Sequence, residues 1–184
     1  MSSDTFLVDT NILSNCQKKS PDHQLTDWLA QQEQIAIPYP VIVEIEQGIG
    51  HLYLRNPVRA QLLRSWFDGL LDTEFLFPEM TPAVARLQAA LFSCRPLKHL
   101  WFVGPDSDKR PGNDLAIAAV AIAHHLPIAT CDTWDFGKIA AFFPLPGVYN
   151  PVTDEWVVKQ SMEHRPMSNA LTASGPSTIR FKAS

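Results

Sequence analysis

Short apolar runs alternate with longer stretches of helical periodicity along this chain. Thr5 to Val8 is a brief, continuous apolar run, the pattern of a strand buried on both faces. A helix is predicted to follow from about Thr10. Pro21 to Gln32 reads as a second helix, with Leu25, Trp28 and Leu29 on one face. Ile35 to Ile37 is a second short strand. Tyr39 to Gly50 is predicted as a helix, with Pro40 tolerated in its first turn and Gly48 or Gly50 ending it. Pro57 to Leu71 is amphipathic through Val58, Leu62, Leu63, Trp66 and Leu70. Phe75 to Phe77 is predicted as strand three, and Thr81 to Phe92 as a helix with Pro82 in its first position. Leu100 to Lys109 lies in an irregular stretch with Gly104, Pro105, Pro111 and Gly112. Beyond it, Asn113 to His125 is a helix, Ile128 to Thr130 a strand, Asp135 to Phe142 a helix, and Val148 and Tyr149 a last edge strand. Strands alternating with helices imply an α/β fold, with a parallel sheet covered on both faces.

The composition shifts after Asn150. Residues 1–150 are expected to form one domain, and residues 151–184 a C-terminal extension. Glu155 to Val158 has the pattern of one short element, within an extension expected to be partly disordered. The closing SNALTASGPSTIRFKAS is small and polar, as disordered segments are. A length of 184 residues suits one domain with a sizeable core. The net charge of −4 gives no whole-molecule attraction to nucleic acid, but it leaves room for a local basic rim. Cys16, Cys94 and Cys131 are widely spaced and contain no CxxC pair. They read as reduced thiols of a cytoplasmic protein, not as a disulfide framework or zinc site. MSSDTFLVD lacks the basic-then-apolar order of a signal peptide, and no apolar run approaches the roughly 18 residues that span a membrane.

The informative chemistry is acidic. Asp9 follows the first strand in FLVDTNILS, and Glu44 sits among apolar neighbours in VIVEIEQGI. Asp114 opens a helix in GNDLAIAAVAIA, and Asp132 follows a strand in LPIATCDTWDF with Asp135 three residues on. Burying a lone carboxylate is costly unless something compensates it, and these segments hold no Lys or Arg. Each acid also has a plain structural reading: Asp9 as a helix N-cap, Asp114 as a dipole partner beside Asn113, and Asp132 as the start of an Asx turn. Glu44 has the weakest such reading. All four acids fall at one end of the predicted sheet or its flanking helices, where open α/β sheets bind ligands. Hard oxygen donors in that setting suit magnesium or manganese. Glu44 and Gly48 share a helix face, where Gly48 would leave room; Glu46 points elsewhere.

The segments VDTNILS (Val8 to Ser14), VEIEQGI (Val43 to Ile49), NDLAIAAVA (Asn113 to Ala121) and ATCDTWDF (Ala129 to Phe136) together resemble the PIN-domain family. The likeness is greatest to its VapC-type toxin ribonucleases. It covers about residues 5 to 150. The resemblance implies a three-layer α/β/α fold with a central parallel sheet flanked by helices. It also implies a Mg2+- or Mn2+-dependent endoribonuclease that cleaves RNA, the toxin component of a type II toxin–antitoxin system. On that resemblance, Asp9, Glu44, Asp114 and Asp132 are the catalytic and metal-binding acids, with Asn11, Thr130 and Asp135 in support. The implied partners are an RNA substrate, a cognate antitoxin protein and a second copy in a homodimer. The antitoxin is placed in the groove between the Tyr39–Gly50 and Pro57–Leu71 helices.

The chain departs from the family in its longer C-terminus, in a polar Pro/Gly-rich loop from Phe102 to Gly112, and in Pro38–Tyr39 where a Ser is common. Lys109 and Arg110, just before Asp114, are the candidate RNA contacts. Arg55, Arg59 and Arg64 read as a solvated helix face. His124 and His125 end their helix, and the tryptophans suit core or partner-groove packing better than base stacking. A haloacid-dehalogenase-type phosphotransferase would need an Asp where Asn11 stands. A non-catalytic RNA- or protein-binding module would be expected to have lost a carboxylate.

Overall fold

The computed structural model describes residues 5–18, 20–73, 75–102 and 112–159, so Lys109, Arg110 and residues 160–184 lie outside the described residues. The apolar triplet Phe6–Val8 forms β1, with all three residues buried. It pairs in parallel on both edges, with β2 (Ile35–Ala36) and with β3 (Ile128–Ala129). Beyond β3 lies β4 (Val148–Asn150), also parallel, and then β5 (Glu155–Val158), which is antiparallel. The order β2-β1-β3-β4-β5 means that the chain steps from β1 to one side, then returns to build the other. Such a reversal opens a crevice at the carboxyl ends of the two strands concerned. Asp9 leaves β1 at that point, and Thr130 leaves β3 beside it.

Helices cover both faces, which makes the fold three-layered α/β/α. They are α1 (Thr10–Asn15), α2 (His23–Gln31), α3 (Tyr39–Tyr53), α4 (Pro57–Leu71), α5 (Pro82–Ser93), α6 (Asp114–His124) and α7 (Thr133–Ala140), with a 3-10 helix at Arg95–Leu100. Side chains of Asp22, Asn56 and Thr81 cap α2, α4 and α5 by accepting from Leu25, Arg59 and Val84 N–H groups. Every residue of α6 from Leu115 to Ala121 is buried. A helix apolar all round has no solvent face to present, so it lies in the core. Its small alanines allow close packing, and its start is held beside the crevice. Phe6, Trp28, Tyr149 and Trp156 form an aromatic cluster that ties β5 and α2 to the sheet.

Several expected boundaries move. Gly48 and Gly50 do not end α3, which continues to Tyr53. A helical glycine costs only about 1 kcal/mol, and the packing of α3 against α4 outweighs it. Phe75 to Phe77 is not a strand. Leu76 alone makes a parallel bridge to Ala36, because Phe77 turns outward and Pro78 has no N–H to extend the ladder. The last helix begins at Thr133, not Asp135. Val58 and Leu62 are 70% and 69% exposed; the buried stripe of α4 runs through Ala60 and Phe67 instead. Tyr149 is not on an edge strand, since Glu155–Val158 adds a fifth strand beyond it after a turn in which Asp154 takes a left-handed φ of 55°. His124 ends α6 as expected, with His125 its left-handed C-cap. Among the described residues, no helix is long and apolar enough to cross a membrane.

This division of α4 predicts two different outcomes. Phe67→Ala is expected to cost about 3–5 kcal/mol in urea unfolding, because Phe67 is fully buried. Leu62→Ser is expected to change stability by under about 0.5 kcal/mol. Equal losses would contradict the burial pattern.

Candidate active site

Asp9 is the first residue after β1 and is only 6% exposed. Its Oδ1 accepts the Thr10 N–H at 2.6 Å; its Oδ2 accepts from Asn11 Nδ2 at 2.6 Å and from Thr130 Oγ1 at 2.7 Å. An ordinary N-cap side chain reaches two or three residues into the helix. Asp9 stands at the cap position of α1, but its carboxylate is instead gripped across the crevice from β3. Asn11 completes the clamp. Its Nδ2 also lies 3.0 Å from Thr130 Oγ1, and its Oδ1 accepts the Cys131 N–H at 3.1 Å. The Asp132 N–H donates to Thr130 Oγ1 at 3.0 Å. The buried hydroxyl of Thr130 therefore joins Asp9 to the start of α7.

Glu44 projects from α3 and is half-buried. Its Oε2 accepts from Thr10 Oγ1 at 2.9 Å and from Asn113 Nδ2 at 3.2 Å. The partners absent from VIVEI are thus two neutral donors from α1 and the entry to α6. Asp114 opens α6, where the helix dipole favours an anion. Asn113 does not cap that helix with its side chain. Asp132 occupies the N-cap position of α7, yet its side chain makes no cap hydrogen bond, so the Asx-turn reading of that carboxylate does not hold. Asp135 pairs with Lys138 at 3.0 Å. A Cβ on Gly112 would lie 2.8 Å from Asp114 Oδ2, so a side chain there would require this carboxylate to shift.

The acids disturb one another. Burial first, then the charges of Glu44 and Asp132, push Asp9 up to about 6, against the lowering effect of its Thr130 and Thr10 hydrogen bonds. Burial likewise leads in pushing Asp114 up to about 7, helped by Asp9, Asp135, Asp132 and Glu44. The ion pairs among the described residues, Arg64–Glu46 and Lys138–Asp135, neutralise none of Asp9, Glu44, Asp114 and Asp132. Among the described residues, no three His, Cys, Asp or Glu side chains converge as a finished cation site would. The donors available to a cation are hard carboxylate oxygens.

The fold therefore gathers Asp9, Glu44, Asp114, Asp132, Asn11, Thr130 and Asp135 around one crevice. Thr10, Asn113 and Gly112 are neighbours of the candidate site that the sequence did not single out. Their signal was modest: a polar or small residue next to each acid or two away. Gly48 does not open space beside Glu44; it is exposed, and a Cβ there would meet nothing within 4 Å. Glu46 is engaged by Arg64 at 2.7 Å across α3 and α4.

The chain matches the PIN-domain family model over residues 6–141. It belongs to the PIN-domain family. No curated protein sequence matches it. Among solved structures it is similar to a chain of FitAcB from Neisseria gonorrhoeae, at 24% identity and a TM-score of 0.56, over 80% of this chain and 98% of that one. It is also similar to a chain of VapBC2 from Rickettsia felis bound to a DNA fragment from their promoter, at 22% identity and a TM-score of 0.56, over 83% and 98%. DNA-bound VapBC from Salmonella typhimurium matches at 17% identity and a TM-score of 0.55, over 80% and 98%. These likenesses are of fold.

The raised carboxyls set a pH dependence. Unfolded, both aspartates titrate near 3.8; folded, near 6 and 7. The fold favours their protonated forms, so this contribution is complete below about pH 4 and is lost as pH rises through 6 and 7. Metal-free protein is therefore expected to gain stability as pH falls from about 8 to about 5. Asp114→Asn should flatten that profile and add about 1–3 kcal/mol at the alkaline end. Asp9→Asn is a poorer test, because an amide cannot accept the donors now on both oxygens. Calorimetry in EDTA across this range checks the sign; stability rising with pH would refute it.

Proposed function

We propose that this chain is a Mg2+- or Mn2+-dependent endoribonuclease and the toxin of a type II toxin–antitoxin pair, working in the cytoplasm. Asp9, Glu44, Asp114 and Asp132 are its metal-binding and catalytic acids. The supporting observation is their crowding at the sheet's reversal point with, among the described residues, no cationic side chain paired to any of them. Magnesium binds through one or two carboxylates and keeps several waters, so a finished cage of three converging side chains is not required. When bound, a divalent ion supplies an acidified water and offsets charge on a phosphodiester under in-line attack.

The chain's own residues do the positioning. Asn11, Thr130 and the Thr10 N–H fix Asp9 in one orientation and leave it little further capacity to accept hydrogen bonds from protein. Thr10 and Asn113 aim Glu44, and Gly112, with no Cβ, leaves the Asp114 carboxylate where it stands. Asp132, exposed and uncapped, stands at the rim where substrate enters, with Asp135 as an extra acid. Lys109 and Arg110 are proposed to meet the RNA backbone. RNA hydrolysed in this way carries a 5′-phosphate on one product.

A protein partner and a homodimer are part of the same proposal. Tyr53, Leu54, Val58 and Leu62 are large, exposed apolar residues at the turn from α3 to α4. Such exposure in one place marks a surface for another protein. The antitoxin is proposed to lie over this apolar strip and the groove between α3 and α4, which pack on each other. The likeness to FitAcB and to VapBC2 supports a two-component assembly.

The test is RNA cleavage by the purified full chain with magnesium or manganese, beside EDTA and beside Asp9→Asn and Asp114→Asn. Wild type is expected to cleave only with metal, and each variant to lose on the order of a hundredfold or more. Cleavage that survives in both variants would remove the assignment. Absent cleavage together with absent metal binding in calorimetry would favour a non-catalytic RNA- or protein-binding module.

A further inference from the structure

Of the core or partner-groove packing expected of the tryptophans, Trp134 does not take the core role. Trp28, Trp66 and Trp101 are partly buried against the core, and Trp156 stacks with Phe6 and Tyr149. Trp134 is 73% exposed. It lies in the first turn of α7, two residues after Asp132 and one before Asp135. An indole left in water forfeits the burial that usually stabilises it, so its placement asks for an occupant.

A lysine borders it. Lys138, one turn along α7, lies 5.0 Å from the Trp134 ring centroid. The same ammonium lies 3.0 Å from Asp135 Oδ1 and 3.4 Å from His99 Nε2, which joins α7 to the 3-10 helix. That helix leads into a second pair of the same kind: Lys98 Nζ sits 4.5 Å over the ring of Phe102, itself 50% exposed. The Gly112 N–H donates to Leu100 O at 3.2 Å, which holds this segment beside the entry to Asp114. Two exposed ring–lysine pairs thus flank the segments that carry Asp114 and Asp132.

We infer that Trp134, Phe102, Lys98, His99 and Lys138 form a track that receives single-stranded RNA, with an unpaired base stacked on Trp134 beside the acidic crevice. The inference deepens the nuclease reading above and rests on it for the choice of nucleic acid. A polyanion approaching four acids on a chain of net charge −4 needs local positive charge, which Lys98 supplies together with Lys138, the latter shared with Asp135. Flat rings beside cations suit unstacked bases, which duplexes do not offer. The apolar strip proposed above for a protein partner, with Leu54, Val58 and Leu62 exposed, lies elsewhere, on α4 and the turn before it.

The test is fluorescence-anisotropy binding of a labelled, unstructured mixed-sequence RNA oligonucleotide to the full chain in EDTA, where metal-dependent cleavage is silent. A fully paired RNA of equal length is run beside it. Trp134→Ala is expected to weaken single-strand binding about tenfold, the scale of one lost base stack, and to leave duplex binding unchanged. Trp134→Phe should restore most of the loss. Lys98→Gln should weaken binding a few fold and lower the salt slope by about 0.7. Wild-type affinity in Trp134→Ala, an equal loss on duplex, or no binding by wild type would each overturn the track. A change in molecular mass of Trp134→Ala with RNA binding intact would assign the ring to a protein interface instead. Cleavage with magnesium is scored separately. A wild type that binds through Trp134 but never cleaves keeps the track and sinks the nuclease, and a wild type that cleaves while Trp134→Ala binds equally does the reverse.

Discussion

Burial of carboxylates at the reversal point of the sheet, reinforced by their mutual repulsion, is the constraint on which the rest of this structure depends. Asp9 and Asp114 are pushed up to about 6 and 7 because burial and neighbouring acids oppose their charge. A fold selected for stability alone would avoid such a cluster or pair it with lysine or arginine. Here the compensation is partial and neutral. Thr10, Asn11, Asn113 and Thr130 donate hydrogen bonds that fix the geometry of Asp9 and Glu44 without discharging them.

The surrounding architecture is arranged to hold that conflict in place. Strand β1 is paired on both sides, which gives Asp9 a rigid base. Helix α6 is buried along its length, which fixes Asp114 at its first turn. The hydroxyl of Thr130 couples β3 to Asp9 and to the backbone of Asp132 at once. Cationic side chains are kept one step out. Lys138 reaches Asp135 and the Trp134 ring, and Arg64 is spent on Glu46 across two helices. The result is an acidic centre with a mixed aromatic and basic border.

Much of the fold was legible from pattern alone, and the misreadings have physical causes. The runs at Phe6–Val8, Ile128–Ala129 and Leu115–Ala121 are apolar throughout, and only burial on all sides satisfies such runs. Periodicity could not say that α3 would pass through Gly48 and Gly50, because the contact with α4 that outweighs two glycines is tertiary. It could not separate Leu62 from Leu63 by burial, since adjacent residues on a broad apolar face differ only in where the neighbouring helix lies. Leu76 failed to nucleate a strand because proline follows so closely.

The sequence by itself determined the chemistry available: which acids follow apolar runs, that no cation lies within those segments, and that strands and helices alternate. These are local properties, set by residue type and by the periods of helix and strand. Only the tertiary structure decided how the acids are held and what borders them. The bonds from Thr10 and Asn113 to Glu44 span 34 and 69 residues, and that from Thr130 to Asp9 spans 121. The exposure of Trp134 likewise depends on which surfaces the packing of α7 leaves open. No local pattern encodes separations of that length; strand order and helix packing do.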